Sequence, residues 1–300
     1  MIKKAVCTIS TISHIFKAYA LADSLQEFGF RLNILLVDCE DVSNINPPID
    51  VKLYNLEHLG SEQGKKLISK YKGNLDKLRW GLKAVFLECL LKENNQVIYV
   101  DNDIHFFQSP EVYFKELETQ SLLLTPHFYP SAADIHQNWL EANFKVGLYN
   151  AGFIAVNING IEALHWWANC CLYNIKKSYW RGLFDDQKYL DLLPILFEKV
   201  KLIKQRGANL AGWNYKVLQP KNSEVTFIHF AELTMREFSH LQNEYYVFYQ
   251  EYLLILKKYN KKYQFKPTYI SNYSIVNYIY FLAWKLNRLF EKPTSLNDFK

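Results

Sequence analysis

Apolar residues follow two different spacings along the chain, one typical of strands and one typical of helices. Short apolar runs from Ala5 to Ile9 and from Leu32 to Val37 predict two buried strands. The segment between these runs carries apolar residues three or four positions apart, namely Ala18, Leu21, Leu25 and Phe28. That spacing places them on one face of a helix. A strand, a helix and a second strand in this order predict a βαβ unit with parallel strands.

The same alternation continues to about residue 230. A helix capped by Asp76 leads into a strand from Val97 to Val100, a second helix spans Ile161 to about Tyr173, and a third opens near Phe184. Further short apolar runs predict the remaining strands, at Leu122 to Thr125, Phe153 to Val156, Val200 to Ile203 and Val225 to Ile228. Helices that alternate with strands are typical of α/β proteins with a mostly parallel sheet, whose ligands bind at the carboxyl ends of the strands.

Two carboxylates follow one of these strands, at Asp101 and Asp103. In an extended chain, residues two apart face the same way, so both side chains can converge on one point at the end of the strand. Carboxylate oxygens at this spacing suit a hard divalent cation, Mg²⁺ or Mn²⁺, which keeps open positions for substrate phosphates. The alternative is two acidic residues that close a strand at a solvated turn. The Asp-x-Asp spacing alone favours neither interpretation.

Other polar residues are expected at the same edge of the sheet. Thr8 and Ser10 lie at the end of the first strand, and His229 follows the last one. A histidine in that place could complete a cation site, or it could be structural. Lys83 lies on the helix before the carboxylates, off its apolar face. It could reach a phosphate from there, or it could be an ordinary solvated lysine.

Three later segments carry polar groups in irregular settings. Asn150 offers a donor and an acceptor to a hydroxylated ligand, and Gly152 permits close approach of a ligand or backbone, although the two could simply mark a turn. Asp186 and Gln187 open a helix, where acidic residues are ordinary capping chemistry. The segment from Gly207 to Asn214 is an amide-rich loop bounded by glycine.

Taken together, these segments resemble bacterial glycosyltransferases of the GT-A fold, the nucleotide-diphosphosugar transferases related to family 8. The motifs that carry the likeness are, in chain order, YVDNDIHFFQSP, GLYNAGFIAVN, a Trp-Trp pair, FDDQKYLDLLP, GANLAGWNYKV and FIHF. They cover roughly Lys77 to Phe230. Each motif alone is weak, but their order and spacing together are specific. The resemblance implies a GT-A domain at residues 1–232, with a Rossmann-like, mixed and mostly parallel sheet flanked by helices.

The resemblance also implies roles for individual residues. It places the metal ligands at Asp101, Asp103 and His229, and a catalytic pair near the anomeric carbon at Asp186 and Gln187. The residues implied for binding the nucleotide-sugar are Thr8, Ser10, Lys83, Asn102, Asn150 and Gly152. The residues implied on the acceptor side are Asn209 and Asn214. One departure from the family is visible, because His229 lacks the Gly and Lys that usually follow this histidine and clasp the pyrophosphate.

The implied activity is that of a metal-dependent glycosyltransferase of the hexosyl type. A sugar would move from a nucleotide-diphosphosugar, a UDP-sugar first of all, to a glycan or a lipid-linked glycan. Breaking the sugar–phosphate bond leaves a nucleoside diphosphate, whose developing charge is stabilised by Mn²⁺ or Mg²⁺ and by a lysine. The likeness to family 8 favours retention of the anomeric configuration, whereas an inverting enzyme would need a carboxylate base. The expected setting is the synthesis of bacterial cell-surface polysaccharide.

Two other functions fit part of the pattern. Phosphohydrolases of the haloacid dehalogenase type also place Asp-x-Asp after an apolar strand, but their nucleophilic aspartate follows the first strand of the domain. In this chain, about a hundred residues precede Asp101. A sugar-nucleotide or glycan-binding protein without catalytic activity is the third possibility.

Composition predicts the compartment of the protein, and the distribution of charge predicts a second region of the chain. The chain has 300 residues, 49% of them hydrophobic, which is enough for a sizeable core. Five cysteines without metal-type spacing predict reduced thiols in a cytoplasmic protein. We identify neither an apolar signal sequence at the start of the chain nor an apolar run long enough for a membrane span.

The net charge of +5 is concentrated near the end of the chain. Residues 257–300 carry nine basic and two acidic side chains, so the remainder is slightly acidic. We therefore predict a helical, aromatic and basic region at 233–300, in which residues 257–300 either contact an anionic membrane surface or pack on the domain. Contact with a membrane would place the protein at the inner face of the cell membrane. No basic motif of a nucleic-acid reader is present.

Overall fold

The computed structural model describes residues 2–266, which contain nine strands and eleven α-helices. The strands are β1 (Lys4–Ser10), β2 (Leu32–Leu36), β3 (Val51–Tyr54), β4 (Gln96–Val100), β5 (Ile104–Phe106), β6 (Leu122–Pro126), β7 (Tyr149–Asn157), β8 (Val200–Leu202) and β9 (Phe227–His229). The α-helices are α1 (Ile15–Gln26), α2 (Glu62–Lys70), α3 (Leu75–Gly81), α4 (Lys83–Leu91), α5 (Glu111–Glu116), α6 (Gln137–Lys145), α7 (Ile161–Tyr173), α8 (Leu193–Leu196), α9 (Tyr215–Leu218), α10 (Glu232–Phe238) and α11 (Tyr246–Tyr259). Short 3-10 helices occupy Ile12–His14, Leu56–His58, Ile158–Gly160, Tyr179–Arg181, Gln187–Leu192 and Asn222–Glu224.

Seven of the strands form one sheet, in the order β3-β2-β1-β4-β7-β6-β8. β7 runs antiparallel to both of its neighbours, and the other pairs in this sheet are parallel. β5 and β9 form a separate, antiparallel pair. The predicted architecture is therefore confirmed: this is an α/β protein with a mixed, mostly parallel sheet flanked by helices.

The two faces of the large sheet are buried against different helices. Alternate residues of β1 point to opposite faces, so Cys7 joins a core with α4 and α7, whereas Val6 joins a core with α1 and α5. α4 is buried on nearly all sides because it lies between the sheet and α7. This position carries its first residue, Lys83, into the interior.

Two predicted helices begin or continue differently from the sequence pattern. The helix assigned to an Asp76 cap starts two residues earlier than predicted, at Leu75, and is capped by Asn74, whose side chain accepts a hydrogen bond from the backbone of Lys77. It is also interrupted at Leu82, where α3 ends and α4 follows. The helix expected after Phe184 is a 3-10 helix that leads into the single turn of α8. Its acidic residues therefore do not cap an α-helix.

The described part of the C-terminal region is helical, as predicted. α10 and α11 share a third core with the loop after β8 and with Ala20 of α1. α11 packs on α1, where Tyr259 lies 5.8 Å from the ring of Tyr19 and Lys258 pairs with Asp23 at 2.6 Å. None of the described helices combines the length and apolar character that crossing a bilayer requires. The boundary at residue 232 stays a prediction, and residues 267–300, with most of the predicted membrane-contacting segment, lie outside the described residues.

Candidate active site

Asp101 and Asp103 lie on a turn at the carboxyl end of β4 rather than on an extended strand. The turn is closed by the backbone of Ile104, which donates to the carbonyl of Asp101 at 3.1 Å. The amide of Asp101 donates to the carbonyl of Gly152 on β7 at 2.8 Å. The two carboxylates therefore converge as predicted, but a turn that is held by β7 brings them together.

His229 joins these carboxylates because β9 pairs with β5. Residue 229 lies opposite Ile104 in that ladder, and the amide of Phe230 donates to the carbonyl of Asp103 at 2.8 Å. Asp101, Asp103 and His229 offer ligand atoms that all lie within 4.8 Å of one another. Nδ1 of His229 is buried and has no hydrogen-bond partner among the described residues. Nε2 of the ring faces Asp103, 3.1 Å away, and two carboxylates with one imidazole fit a divalent cation.

Asp103 and His229 each stabilise the charged form of the other. Burial alone would raise the pKa of Asp103, but the neighbouring imidazole lowers it. Burial alone would lower the pKa of His229, and Asp103, 3.1 Å away, raises it. Without a cation, the pairing with Asp103 therefore favours the protonated form of His229. A bound cation would take the place of that proton, because a ligating imidazole must be neutral.

Lys83 is buried between two carboxylates, so the interpretation as a solvated lysine is wrong. Its Nζ donates to the carbonyl of Ala151 at 3.0 Å and lies 3.3 Å from an oxygen of Asp101 and 3.3 Å from an oxygen of Asp186. Burial would lower the pKa of Lys83, but the two carboxylates raise it. A buried charge of this kind requires such partners. Lys83 thus links the acidic cluster to Asp186.

The backbone of Asp186 is held by Trp167, the second residue of the Trp-Trp pair on α7. The indole Nε1 of Trp167 donates to the backbone carbonyl of Asp186 at 2.9 Å. The side chain is 4% exposed, and burial raises its pKa to about 6, although Lys83 opposes the shift. Gln187 lies beside it, with its amide donating to the carbonyl of Val146 at 3.3 Å. The structure therefore brings Asp186 next to Lys83, and Gln187 lines the same pocket.

Asn150 is used inside the protein to hold the backbone beside the cluster. Its Nδ2 donates to Nε2 of His127 at 3.1 Å, and its Oδ1 accepts from the amide of Gly152 at 2.8 Å. Nδ1 of His127 donates to the carbonyl of Gly147 at 2.9 Å, which leaves Nε2 as the acceptor. Burial lowers the pKa of His127 to about 3, so the ring is neutral. A continuous chain of hydrogen bonds thus runs from His127 to Asp101.

The polar residues at the end of β1 are fully buried. Asn102 donates from Nδ2 to Oγ of Ser10 at 2.9 Å, which ties the Asp-x-Asp turn to β1. Oγ1 of Thr8 is buried without a hydrogen-bond partner among the described residues. These three residues therefore lie at the predicted edge of the sheet, and their binding of a nucleotide stays a prediction.

Asn209 and Asn214 are buried away from the pocket. Nδ2 of Asn214 donates to the carbonyls of His127 and Asn209, and its Oδ1 accepts from the amide of Ala211. Nδ2 of Asn209 donates to Thr125 at 3.3 Å. Their bonds shape the loop that carries Trp213, whose ring contacts both His127 and His229 edge-on. A direct role with an acceptor stays a prediction.

A pocket of about 340 Å³ adjoins the cluster. Lys83, Asp101, Asp186, Gln187 and His229 lie on its wall, beside Asn150 and Gly152. Sequence reasoning did not assign a role to the other lining residues, among them Trp80, His127, Tyr129, Val146, Phe184 and Trp213. They come from separate elements and share no local motif. The pocket combines charged groups at one end with aromatic rings around them.

The chain is similar to two proteins of Bacillus subtilis (strain 168). It is 29% identical over 252 residues to the uncharacterized protein YfnF, with 76% of this chain and 80% of YfnF covered. It is 28% identical over 248 residues to the uncharacterized protein YfnD, with 76% of this chain and 77% of YfnD covered. No protein-family model matches the chain.

Three solved structures are similar to this one. The apo form of mouse xyloside xylosyltransferase 1 has a TM-score of 0.49 at 16% identity, with 77% of this chain and 98% of that chain covered. A glycosyltransferase involved in the glycosylation of the major capsid of PBCV-1 has a TM-score of 0.45 at 10% identity, with 76% and 94% covered. The glycosyltransferase GlyE of Streptococcus pneumoniae TIGR4 has a TM-score of 0.44 at 13% identity, with 87% and 64% covered.

Proposed function

We propose that this protein is a metal-dependent glycosyltransferase of the hexosyl type. It would transfer a sugar from a nucleotide-diphosphosugar, a UDP-sugar first of all, to a glycan or lipid-linked glycan. One observation carries the proposal: the ligand atoms of Asp101, Asp103 and His229 lie within 4.8 Å of one another, and the pocket beside them holds Lys83 and Asp186. This arrangement suits a diphosphate leaving group next to a reacting sugar.

Each group of the site has a task in this reaction. A divalent cation held by Asp101, Asp103 and His229 would neutralise charge on the diphosphate. Lys83, held by two carboxylates and a carbonyl, presents a fixed positive charge towards the leaving group. Asp186 and Gln187 lie where they can stabilise positive charge that develops at the anomeric carbon. Because burial weakens the ionisation of Asp186, Lys83 is needed to keep it charged.

The transfer step balances without a further reactant. The anomeric carbon–oxygen bond to the diphosphate breaks, and the electron pair stays with the diphosphate. A new bond forms between that carbon and the acceptor oxygen, whose proton passes to the leaving diphosphate. On this route no side chain has to act as a base, and the anomeric configuration is retained. The configuration of the product, measured by proton NMR, tests it.

The two alternatives explain fewer of these contacts. A phosphohydrolase of the haloacid dehalogenase type needs a free nucleophilic aspartate, whereas Asp101 follows the fourth strand and accepts a hydrogen bond from Tyr99 at 2.7 Å. A protein that only binds sugars has no need for a buried lysine between Asp101 and Asp186. The transferase accounts for both features.

Nucleotide binding with and without Mn²⁺ tests the proposal. We expect UDP to bind wild-type protein tightly only in Mn²⁺, and Asp103→Ala to abolish that binding while the protein stays folded. Asp134→Ala, which removes an exposed aspartate outside the cluster, is the control. Slow Mn²⁺-dependent hydrolysis of a UDP-sugar should accompany binding in the wild type. Unchanged UDP affinity of Asp103→Ala in calorimetry would contradict the assignment.

The cellular setting is part of the same proposal. We place the protein in the cytoplasm, at the inner face of the cell membrane, in the synthesis of cell-surface polysaccharide. The basic side chains between residues 257 and 300 support contact with anionic lipid. Co-sedimentation with phosphatidylglycerol vesicles, but not with phosphatidylcholine vesicles, is the expected result. Equal sedimentation with both would contradict membrane contact through charge.

A further inference from the structure

Aromatic side chains surround the mouth of the pocket on two sides. We call this set the aromatic rim, and its members are Trp80, Tyr129, Trp139, Tyr179 and Phe184. Trp80, Tyr129 and Phe184 line the pocket directly. The other two rings stack on them and extend the aromatic surface outwards.

One side of the rim is a column of three rings. The buried imidazole of His127 stacks on Tyr129 with ring centres 4.6 Å apart and planes 10° apart. Tyr129 stacks in turn on Trp139, with centres 5.4 Å apart and planes 24° apart. Since His127 is fixed by hydrogen bonds to Gly147 and Asn150, the column starts from a rigid base. The stack therefore fixes the orientation of the Trp139 ring relative to His127.

The other side of the rim is organised around a lysine. Nζ of Lys177 lies 5.0 Å from the ring centre of Phe184 and 5.5 Å from that of Trp80. It also pairs with Asp185 at 3.3 Å. Tyr179 stacks on Phe184 at 6.1 Å, with planes 27° apart. This side therefore presents ring faces together with a cation and a carboxylate.

The two sides lie on the wall of the same pocket, because Tyr129 of the first side and Trp80 and Phe184 of the second all line it. Asp186 lines this pocket as well, whereas Asn209 and Asn214 do not. A second substrate that reaches Asp186 through the pocket therefore passes aromatic rings on both sides.

We propose that the aromatic rim binds the acceptor as a carbohydrate, with the C–H face of a pyranose ring against the aromatic faces. This inference rests on the proposed transferase function. The face of an aromatic ring carries partial negative charge, which attracts the polarised C–H groups of a sugar. Lys177 and Asp185 supply a donor and an acceptor for hydroxyl groups at the edge of the same ring. A purely lipid surface would have no use for that pair.

The test separates binding of the acceptor from cleavage of the donor. Wild-type protein and the variants Trp139→Ala and Tyr179→Ala are compared in two assays. The first is Mn²⁺-dependent hydrolysis of a UDP-sugar without acceptor. The second is saturation-transfer NMR with methyl glycosides of glucose, galactose, mannose and N-acetylglucosamine. The conservative variants Trp139→Phe and Tyr179→Phe test whether an aromatic ring is sufficient.

Tyr246→Ala serves as a control, because Tyr246 is half-buried, as Trp139 is, and its ring stacks on that of Tyr249, 6.0 Å away on α11. We expect each alanine variant of the rim to weaken glycoside binding by about tenfold, the factor that ~1.4 kcal/mol represents. Donor hydrolysis should stay near the wild-type rate in all variants. The phenylalanine variants should recover most of the binding.

The possible results distinguish the two proposals. If glycoside binding is unchanged in Trp139→Ala and Tyr179→Ala, the aromatic rim does not bind the acceptor. Donor hydrolysis by the wild type would still support the transferase proposal. If these variants lose glycoside binding but the wild type hydrolyses no donor, the aromatic rim binds carbohydrate and the transferase proposal is contradicted. Binding of octyl glucoside but of no methyl glycoside would show that the rim selects a lipid chain and would overturn the carbohydrate assignment.

Discussion

Gly152 is the point at which the backbone of β7 contacts the candidate metal ligands. A Cβ atom at this position would lie 2.7 Å from Cε1 of His229, 3.0 Å from Oδ2 of Asp101 and 2.5 Å from Oδ1 of Asn150. Each of these distances is shorter than an ordinary van der Waals contact. The side chains of the cluster can therefore keep their present positions only if residue 152 has no side chain.

Gly152→Ala is expected to weaken Mn²⁺ binding by about tenfold or more, because at least two ligands must move from a geometry on which cation affinity depends. The cost in stability should be about 1–3 kcal/mol, as for other overpacked sites. Calorimetric titration with Mn²⁺ and urea unfolding measure the two effects. Gly60→Ala is the control, because a Cβ there would meet no atom within 4 Å. Wild-type Mn²⁺ affinity in Gly152→Ala would contradict the close approach.

His127 is a second residue whose chemistry can be tested apart from activity. It is buried as the neutral form, with Nδ1 donating to Gly147 and Nε2 accepting from Asn150. Its pKa is lowered from 6.5 to about 3 in the folded protein. Between these two values the unfolded chain binds more protons than the folded one. Stability therefore falls as the pH drops through this window and is regained as it rises.

Between about pH 7 and about pH 4.5, the buried His127 should cost the wild type about 2–3 kcal/mol of stability, at ~1.4 kcal/mol per pKa unit. We expect His127→Gln to lack this part of the loss. The variant is less stable at neutral pH, but its dependence on pH is weaker. Urea unfolding at several pH values measures the slope. His136→Gln replaces an exposed histidine and should leave the slope unchanged. Equal slopes for His127→Gln and the wild type would contradict a buried neutral ring.

At the scale of elements, the helices and strands with strong apolar patterns were predictable from the sequence. α7 spans the predicted residues, and the Asp-x-Asp motif lies at the end of a buried strand as expected. Patterns in sequence do not specify hydrogen bonds, however. The acidic residues before Gln187 resemble an α-helix cap, but they precede a 3-10 helix, and Asp186 is buried against Lys83 and Trp167 instead of capping it.

The aromatic residues of the pocket were less predictable from the sequence than its acidic residues. Aromatic residues make up 16% of the chain, so a single Trp or Tyr gives no local sign of a binding surface. Trp80 precedes the break between α3 and α4, Tyr129 follows β6, and Phe184 precedes a 3-10 helix. Only the packing of these elements brings the rings together. Lys83 was found as a candidate, but its burial depends on α4 lying between the sheet and α7.

The start of α3 offers a direct test at the same scale. Asn74→Ala should destabilise the protein by about 1 kcal/mol, because the amide of Lys77 loses its acceptor. Asp76→Ala should cost only about 0.3–1 kcal/mol, since Asp76 is an exposed residue of the first turn that acts through the helix dipole and a surface ion pair with Arg79. Urea unfolding compares the two variants. If Asp76→Ala destabilised the protein more than Asn74→Ala, the helix cap would be Asp76 and not Asn74.

At the scale of the whole molecule, the candidate cation site connects two sheets. Asp101 ends a strand of the seven-stranded sheet, whereas His229 belongs to the pair formed by β5 and β9. The loop at 207–214 is joined to the smaller sheet, because the amide of His229 donates to the carbonyl of Leu210 at 2.9 Å. α10 and α11 pack on the same loop through the third core. The smaller sheet, this loop and the C-terminal helices therefore form one connected layer, which packs on the larger sheet through contacts such as that of Phe227 with Phe153.

A cation shared by Asp101, Asp103 and His229 should cross-link this layer to the larger sheet. We expect Mn²⁺ with UDP to slow hydrogen exchange of the amides of residues 207–214 and 227–230, because binding stabilises the closed state of the segments it joins. Amides of α2, whose residues line neither the pocket nor the cation cluster, should change little and serve as the internal control. Asp103→Asn should abolish the protection while its exchange without ligand stays close to that of the wild type. Protection confined to residues 101–103 would mean that the cation is held by the turn alone, and His229 would then be a structural residue rather than a ligand.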